Sequence, residues 1–412
     1  MGLLDRLRQL LPLASSPPSQ ADYAERFMSA LRASGDTRNW SYEPGRERLV
    51  QVGTANGESG HIINFPNLFR EYLDVPHAGR AECLRRQVAG MRQQTIPARF
   101  DEARARLRPV IRSSTERGII NLQRPDPTPA GEIAYRPLCE SIEIGIAYDG
   151  EFNLLRLNNQ TFADWGVTFD AALEIAVDNL RAESSRPWLA LRDGVFVSQY
   201  GDFYDAARLL LTDVLYRQPI SGAPVIMAPN RAVLLLTGDR NERGLQTLLT
   251  VAEEALSQPR PLPPLMLRWS GTAWEPFAPA PLAARLHALR LQDRGADYAD
   301  QRTMLDELHA KQGRDVFVAT CSVVQNDDGS LRSLCVWTEG AHALLPETEV
   351  VAFHQPATKR TAFLPWHEVQ RCFGALLVPT DHVPIRYEVA GFPEAAQIEP
   401  WFASHGKLDD LD

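Results

Sequence analysis

Three polar residues of one short segment have types and a spacing that suit chemistry: Asp205, Arg208 and Thr212. They lie within GDFYDAARLLLTDVL, whose apolar residues recur at helical spacing and predict a helix from Asp202. At about 100° per residue, the three side chains lie opposite the apolar stripe and face away from the sheet below. Asp205 and Arg208 form either an ordinary surface ion pair or part of a groove. Leu209 lies beside this polar face, which favours cover by another element or a partner.

A fourth candidate is Arg231, which the sequence MAPNRAV places at the tip of a predicted hairpin. A guanidinium group is a rigid fork of donors that suits anions, so Arg231 is a candidate anion clamp. The alternative is a turn arginine that points into water. The expected ligand- or partner-binding residues are therefore Asp205, Arg208, Thr212 and Arg231.

Known catalytic motifs do not occur in the sequence, which contains no G-x-S-x-G, H-E-x-x-H, D-F-G or Walker pattern. His354, His367, His382 and Cys372 lie in the C-terminal part, but their spacing matches no metal-ligand motif. We therefore expect no metal and no cofactor. Carboxylates are plentiful, yet a general acid/base pair cannot be chosen without geometry, so the catalytic residues stay unknown.

The charge and cysteine content narrow the classes of function. A net charge of −9 argues against a nucleic-acid partner. Residues 70–124 carry 12 arginines against 6 acids, which indicates two solvated amphipathic helices. Five widely spaced cysteines without C-x-x-C predict neither a disulfide framework nor a zinc site, and they favour the cytoplasm.

The N-terminal residues MGLLDRLRQLLPL combine a leucine stripe with charges and predict a short amphipathic helix. This helix docks on the protein itself, or residues 1–13 make a peripheral membrane contact. No apolar stretch approaches the ~20 residues that span a bilayer, so no transmembrane segment is expected.

The central part repeats a β-β-α pattern. Helices are predicted from Thr168, Asp202 and about Glu242, and the hairpin turns from Asp149-Gly150, Asp193-Gly194, Asn230-Arg231 and Ser270-Gly271. One-sided apolar helices need a sheet to cover. We predict an α+β fold with an antiparallel or mixed sheet built from successive β-β-α units, helices on one face, and a small, mainly antiparallel C-terminal unit.

Breaks in the pattern suggest the domain organisation. QRPDPTPAG, from Gln123 to Gly131, is a turn-rich boundary. Residues 279–313 are predicted to form two helices broken near Gly295. The predicted parts are an amphipathic helix and linker (1–20), an N-terminal α+β part with Arg-rich helices (21–122), a β-β-α core domain with a helical extension (132–312), a small β-rich unit (314–402) and an acidic tail (403–412).

Five motifs occur in an order that resembles the YtpQ-like family, bacterial proteins defined as a domain of unknown function. They are NFPNLFREYL, ALEIAVDNLRAES, GDFYDAARLLLTDVL, APNRAVLLLTGD and AWEPF, and the resemblance covers roughly residues 21–308. It implies a bacterial cytoplasmic protein of α+β fold. The family has no established reaction, so no catalytic residue is carried over. Related sequences often have an acid where Ala232 stands here, which weakens any site that uses that acid.

Two functions of different class remain open. The absence of catalytic motifs favours a non-catalytic binding or regulatory module with a protein partner, for which Trp337 and Trp366 could be exposed anchors. The alternative is an enzyme, a hydrolase or transferase, with a groove near Asp205, Arg208 and Arg231. An enzyme requires a deep pocket with convergent polar groups and a perturbed titratable residue, whereas a binding module requires a shallow apolar patch.

Overall fold

The computed structural model shows an α+β fold with several mostly antiparallel sheets, as the sequence predicts. The residues that it describes are 18–52, 62–92, 96–123, 128–151, 153–258, 260–326 and 328–408. The predicted N-terminal amphipathic helix, the glycine loop before His61 and the last four residues lie outside them. The chain divides into two compact units, one comprising Met1–Ile96 and Asp149–Leu155 and the other Pro97–Tyr148 and Arg156–Asp412.

The first unit combines helices with a three-stranded antiparallel sheet of order β1-β2-β3. Its elements are α1 (Gln20–Ala33), β1 (Asn39–Glu43), β2 (Arg48–Val52), β3 (Ile62–Asn64), α2 (Pro66–Asp74) and α3 (Arg80–Arg92). Ser19 and Asp22 form a capping box that starts α1. Tyr23 and Phe27 on the apolar face of α1 are fully buried against Phe65. The apolar pattern of the sequence predicts a helix over Ala21–Ala33 and strands around Arg48–Val52 and His61–Phe65, which match α1, β2 and β3, but it does not predict β1.

The remaining elements follow in chain order. The helices are α4 (Phe100–Ala103), α5 (Ser114–Leu122), α6 (Asn159–Trp165), α7 (Phe169–Glu183), α8 (Thr212–Leu215), α9 (Glu242–Leu256), α10 (Ala283–Gln312), α11 (Trp366–Phe373) and α12 (Ala395–Ser404). The strands up to α10 are β4 (Leu107–Ser113), β5 (Arg136–Cys139), β6 (Ile142–Asp149), β7 (Leu154–Arg156), β8 (Leu189–Ala190), β9 (Phe196–Ser198), β10 (Pro224–Asn230), β11 (Val233–Gly238), β12 (Met266–Trp269) and β13 (Trp274–Pro276).

Two antiparallel sheets form the part of the second unit before α10. In one, β6 pairs with β4 and β5, and in the other the strand order is β13-β12-β10-β11-β9-β8. Helix α7 packs on β4, and α9 packs on β10 and β11. The predicted hairpins at Asp193-Gly194, Asn230-Arg231 and Ser270-Gly271 are confirmed. The helices predicted from Thr168 and Glu242 are confirmed as well, because Thr168 caps α7 and Glu242 begins α9.

The helix predicted from Asp202 is wrong. Residues Ala206–Leu210 form a 3₁₀ helix, and α8 then adds about one turn after Leu211 leaves helical geometry. The amphipathic prediction assumed a solvent face, but β4, β10, β11 and α7 all contact the 3₁₀ segment. Asp205 and Arg208 are therefore 0% exposed and do not face away from the fold.

Residues 283–312 form one continuous helix, α10, so the predicted break near Gly295 is wrong. A glycine within a helix costs only about 1 kcal/mol relative to alanine, which packing can outweigh. A Cβ atom at Gly295 would lie 3.8 Å from Cγ2 of Val323, an ordinary contact. The helix ends at Gly313, whose φ of +64° provides a left-handed cap.

The C-terminal part contains two four-stranded sheets of order β14-β17-β21-β20 and β15-β16-β18-β19. The strands are β14 (Phe317–Val318), β15 (Ser322–Gln325), β16 (Leu331–Thr338), β17 (Ala343–Pro346), β18 (Val350–Gln355), β19 (Arg360–Pro365), β20 (Val378–Pro379) and β21 (Arg386–Val389). Pairing is antiparallel except for β14 with β17 and β16 with β18. The mainly antiparallel unit predicted here is confirmed.

The two tryptophans expected to anchor a partner are buried in this C-terminal part. Trp337 is 0% and Trp366 9% exposed, and Trp337 Nε1 donates to the carbonyl oxygen of Gly391 at 3.1 Å. Their interpretation as exposed anchors is wrong, because both side chains pack in one apolar core with Phe353 and Phe373. Among the described residues, no helix is both long and apolar enough to cross a membrane.

Candidate functional site

Arg208, which the sequence analysis offered as a groove residue, is the centre of a buried polar network. Its Nε donates to Ser184 Oγ at 2.9 Å, and Nη1 and Nη2 donate to the carboxylate of Asp202 at 3.0 and 2.6 Å. The guanidinium also lies 3.6 Å from the ring centroid of Tyr200. Because all three guanidinium nitrogens have protein partners, Arg208 has a structural explanation within the fold.

Asp205 belongs to the same network. It accepts hydrogen bonds from Ser198 Oγ at 2.7 Å and from the backbone N–H of Tyr200 at 2.8 Å, and it lies 3.6 Å from Arg208. Burial nevertheless raises the pKa of Asp205. This arrangement fixes the loop before the 3₁₀ segment to β9.

The side chains of Thr212 and Arg231 lie outside this network. Thr212 is half-buried at the start of α8, and its carbonyl oxygen accepts from the N–H of Tyr216. Arg231 occupies the β10–β11 turn as predicted, but its side chain pairs with Glu116 on α5. The β10–β11 turn contacts the 3₁₀ segment through the backbone, because the N–H of Ala206 donates to the carbonyl oxygen of Arg231. The four candidates therefore do not form one described groove.

A cleft of ≈ 860 Å³ lies elsewhere in the second unit, along one face of α10. The helix contributes His287, Arg290, Asp293, Arg294 and Asp297, whose spacing puts them on one side. The opposite walls are the first residues of α5, the β5–β6 turn, the β17–β18 turn, Pro263–Leu265 and Thr380–Ile385. Polar groups from distant parts of the sequence thus converge on one concave surface.

Asp293 and Asp297 are the distinctive pair in this cleft. They lie one helical turn apart, so their side chains are neighbours on the helix surface. Burial, followed by the charge of Asp297, raises the pKa of Asp293 from 3.8 to about 7. Burial also raises the pKa of Asp297 to about 6, although Thr115 Oγ1 opposes this by donating to Oδ2 at 2.6 Å. The pair therefore takes up and releases protons near neutral pH as a coupled unit.

The other charged groups of the cleft mostly pair with one another. Arg290 Nη2 lies 2.6 Å from Glu140, Arg294 Nη2 lies 3.4 Å from Glu347, and His287 Nε2 lies 2.8 Å from Glu349. No ion pair joins Asp293 or Asp297 to a basic side chain among the described residues. Asp381 adds a further acid, so the cleft is negative overall.

His382 lies on the wall formed by Thr380–Ile385. Burial lowers the pKa of His382, and the positive charge of Arg386 lowers it further. The imidazole is consequently neutral at pH 7 and does not supply the cation that the aspartates lack.

The spacing of acids in the sequence is a signal for this site that the sequence analysis did not use. LQDRGADYAD places two acids four residues apart, but the helix break predicted near Gly295 lay between them. Such charge-rich helices usually face solvent, and only the packing of distant segments over this face distinguishes the pair. Among the described residues, no group of three or more His, Cys, Asp or Glu side chains is arranged to hold a metal ion.

Comparisons with known proteins do not identify this site. No protein-family model, curated protein or solved structure matches the chain, so the resemblance to the YtpQ-like family stays a prediction from its five motifs.

Proposed function

We propose that the protein is a small-molecule binding module whose cleft recognises a cationic group of an organic ligand. The observation that carries this proposal is the Asp293–Asp297 pair, which lies in the cleft without an ion pair to a basic side chain in the described part of the chain. Both side chains are partly buried, and carboxylates withdrawn from water are normally paired with a cation, because removing an ionised group from water is costly. A ligand that brings a positive charge would supply that partner.

The charge distribution favours a cation over an anion. Both arginines of the cleft already have carboxylate partners, Glu140 for Arg290 and Glu347 for Arg294. An anion would have to displace those pairs and would also approach Asp293 and Asp297. An ammonium or guanidinium group would instead meet two unpaired carboxylates and form charge-assisted hydrogen bonds.

The size of the cleft and its ligand types favour an organic molecule over a bare metal ion. Its ≈ 860 Å³ lies within the range of about 300–1,000 Å³ for small-molecule sites. In the described part of the chain, no three His, Cys, Asp or Glu side chains are arranged to hold a metal ion. The apolar wall at Pro263–Leu265 would accommodate the carbon skeleton of an amine.

The setting expected from the sequence forms part of this proposal. All five cysteines are free thiols, which supports a reducing compartment such as the cytoplasm. The family resemblance supports a bacterial source. A regulatory role with a protein partner is compatible with a ligand sensor.

One observation favours a second function. Asp293, with a pKa raised to about 7, could exchange a proton with a substrate near neutral pH, as a general acid or base does. The protein would then be an enzyme, such as a hydrolase or transferase, with its site in the α10 cleft and not near Arg208. Conversion of a bound ligand would distinguish this enzyme from a binding module.

The test uses diaminobutane as a cationic probe and butanediol as its neutral counterpart in titration calorimetry. We expect heat from diaminobutane alone, and at least tenfold weaker binding, about 1.4 kcal/mol, for Asp293→Asn and Asp297→Asn. Asp306→Asn is the matched control, because Asp306 is an exposed acid on the same helix outside the cleft lining. Equal binding of both probes, or equal loss in all three variants, would refute the proposal.

Native mass spectrometry of the purified protein provides an independent check. A retained amine would support the cation site directly. A retained acidic metabolite bound in the cleft would contradict it.

A further inference from the structure

A second charged cluster shares no residue with the cleft lining and contains more cations than anions. Its members come from five elements: β4 supplies Arg112, α5 supplies Glu116 and Arg117, β6 supplies Glu143, β7 supplies Arg156, and the β10–β11 turn supplies Arg231. Antiparallel pairing of β4 with β6 sets Arg112 directly opposite Glu143. The fold therefore gathers these charges by sheet register and not by sequence proximity.

The two carboxylates of the cluster differ in how well they are paired. Glu143 is almost fully buried and accepts from Arg117 Nε at 3.0 Å and from Arg156 Nη2 at 3.1 Å. Glu116 is 30% exposed and accepts from Arg231 Nη2. Its distances to Arg112 and Arg156 are 3.8 and 3.9 Å, which are too long for hydrogen bonds.

Several guanidinium N–H groups of this cluster are buried without an acceptor. In the described part of the chain, the unpartnered nitrogens include Nε of Arg112, Nε and Nη1 of Arg156, and Nε of Arg231. The side chains of Arg112 and Arg156 are 5% and 9% exposed. Buried donors nearly always have a hydrogen-bond partner, so three arginines that leave donors unused around one carboxylate suggest a missing acceptor.

The charges of the cluster also indicate a missing acceptor. The four guanidinium groups of the cluster outnumber its two carboxylates by two, and the positive charge of Arg260 also acts on Arg112 and Arg231. Burial, together with the charge of Arg231, lowers the pKa of Arg112 to about 9, and Arg156 and Arg260 contribute to this effect. An acceptor that completes this cluster should therefore be anionic, and a charge near −2 would balance it.

We propose that Arg112, Arg156 and Arg231 form a binding site for a phosphate group. A phosphate dianion carries the two missing negative charges and several acceptor oxygens, and guanidinium groups bind such oxygens in bidentate fashion. The phosphate approaches from the side of Glu116 and Arg231, which are the more exposed members at 30% and 20%. Glu116 occupies part of the site when phosphate is absent and turns outward when phosphate binds.

This site is independent of the proposed cation cleft. It also gives Arg231 the anion-clamping role that its position in the turn suggested. Unlike the anion clamp predicted from the sequence, the proposed phosphate site also requires Arg112 and Arg156, which lie far from Arg231 in the sequence.

The test is titration calorimetry with inorganic phosphate at constant ionic strength, with acetate as the planar carboxylate control. We expect phosphate to bind at or below about 1 mM and acetate at least tenfold more weakly. Glu116→Gln removes the internal competitor, so it should tighten phosphate binding by about tenfold. Arg231→Gln should weaken it by at least tenfold, and Arg231→Lys should weaken it less, because lysine keeps the charge but loses the fork.

Arg268→Gln is the matched control, because Arg268 lies on β12 of the same sheet as Arg231 and pairs only at 3.9 Å with Glu275. It should bind phosphate like the wild type, and circular dichroism confirms that each variant is folded. No phosphate binding at about 10 mM, or unchanged affinity in Arg231→Gln, would overturn the proposal. Equal loss in Arg268→Gln would also overturn it, since that result indicates general charge attraction. If Glu116→Gln does not fold, the comparison of phosphate affinity between the Arg231 and Arg268 variants still tests the proposal.

Discussion

The hydroxyl group of Thr115 donates a 2.6 Å hydrogen bond to Oδ2 of Asp297, which joins the start of α5 to the carboxylate pair on α10. Thr115 is 3% exposed, so solvent does not compete strongly for this bond. The bond favours the ionised form of Asp297 against the effect of burial. It therefore sets how readily the pair takes up a proton.

Replacing Thr115 by valine tests this relationship, because valine keeps the shape and removes the donor. We expect the pKa of Asp297 to rise above its value of about 6, since the bond that opposes burial is lost. Carboxyl carbon resonances followed by NMR during a pH titration would measure the change. An unchanged or lower pKa in Thr115→Val would contradict this role of the hydroxyl group.

Asp293 makes the stability of the protein depend on pH in a defined direction. Its pKa is about 7 in the folded state and 3.8 ordinarily, so between these pH values the folded protein holds the extra proton. Stability therefore falls as pH rises from about 4 to 7. Asp293→Asn removes this loss and should be more stable than the wild type by roughly 2 kcal/mol at about pH 8, after a reduction for partial exposure.

Urea unfolding of both proteins at about pH 3 and pH 8 measures the difference. The two proteins should have nearly equal stability at the lower pH, where the carboxyl group is protonated in both states. A variant that is less stable than the wild type at the higher pH would contradict the assignment.

Arg208 should be a stability residue and not a binding residue. Arg208→Met leaves Asp202 and Asp205 without their buried cation and should lower the free energy of unfolding by roughly 3–5 kcal/mol. Arg217→Gln is the comparison, because Arg217 forms an exposed pair with Asp213 and its loss should cost under about 1 kcal/mol. Similar unfolding midpoints for the two variants in urea would show that the Arg208 network is not needed for stability.

Two helical glycines should respond in opposite ways to alanine. A Cβ atom at Gly118 on α5 would lie 2.1 Å from the carbonyl oxygen of Val383, so Gly118→Ala must displace a wall of the cleft. At Gly295 the same atom makes only an ordinary contact, and alanine should stabilise α10 by up to about 1 kcal/mol. Thermal unfolding should show a lower Tm for Gly118→Ala and a higher Tm for Gly295→Ala. A higher Tm for both variants would show that α5 does not pack closely on this wall.

Local sequence signals predicted much of the fold. Turn pairs such as Asp193-Gly194 marked hairpins, because their positive φ angles suit few other residues. Gly295 misled the prediction of α10, since a weak local penalty was overcome by packing along the helix. The prediction for the segment after Asp202 was wrong for a related reason. Its apolar residues do recur at helical spacing, but the expected solvent face is covered by neighbours that include β4 and α7.

The candidate sites were less predictable, because their partners are far apart in the sequence. Arg231 stays a predicted anion ligand, and its partner Glu116 lies 115 residues away in the sequence. Asp293 and Asp297 lie four residues apart, but the predicted break near Gly295 separated them, and burial of this helix face depends on segments from five other regions. Their raised pKa values follow mainly from burial by tertiary packing, with a smaller contribution from the charges of neighbouring acids on the helix.

Proton release during cation binding tests the central claim most directly. An ammonium group beside Asp293 and Asp297 must lower their pKa values, so binding at about pH 6 should release protons to the buffer. Titrations of diaminobutane in two buffers of different ionisation enthalpy would count them. The account predicts release of up to about one proton near pH 6 and none near pH 9, with the release reduced in Asp293→Asn and kept in Asp306→Asn. Binding without proton release at about pH 6, or equal release in Asp293→Asn, would contradict it.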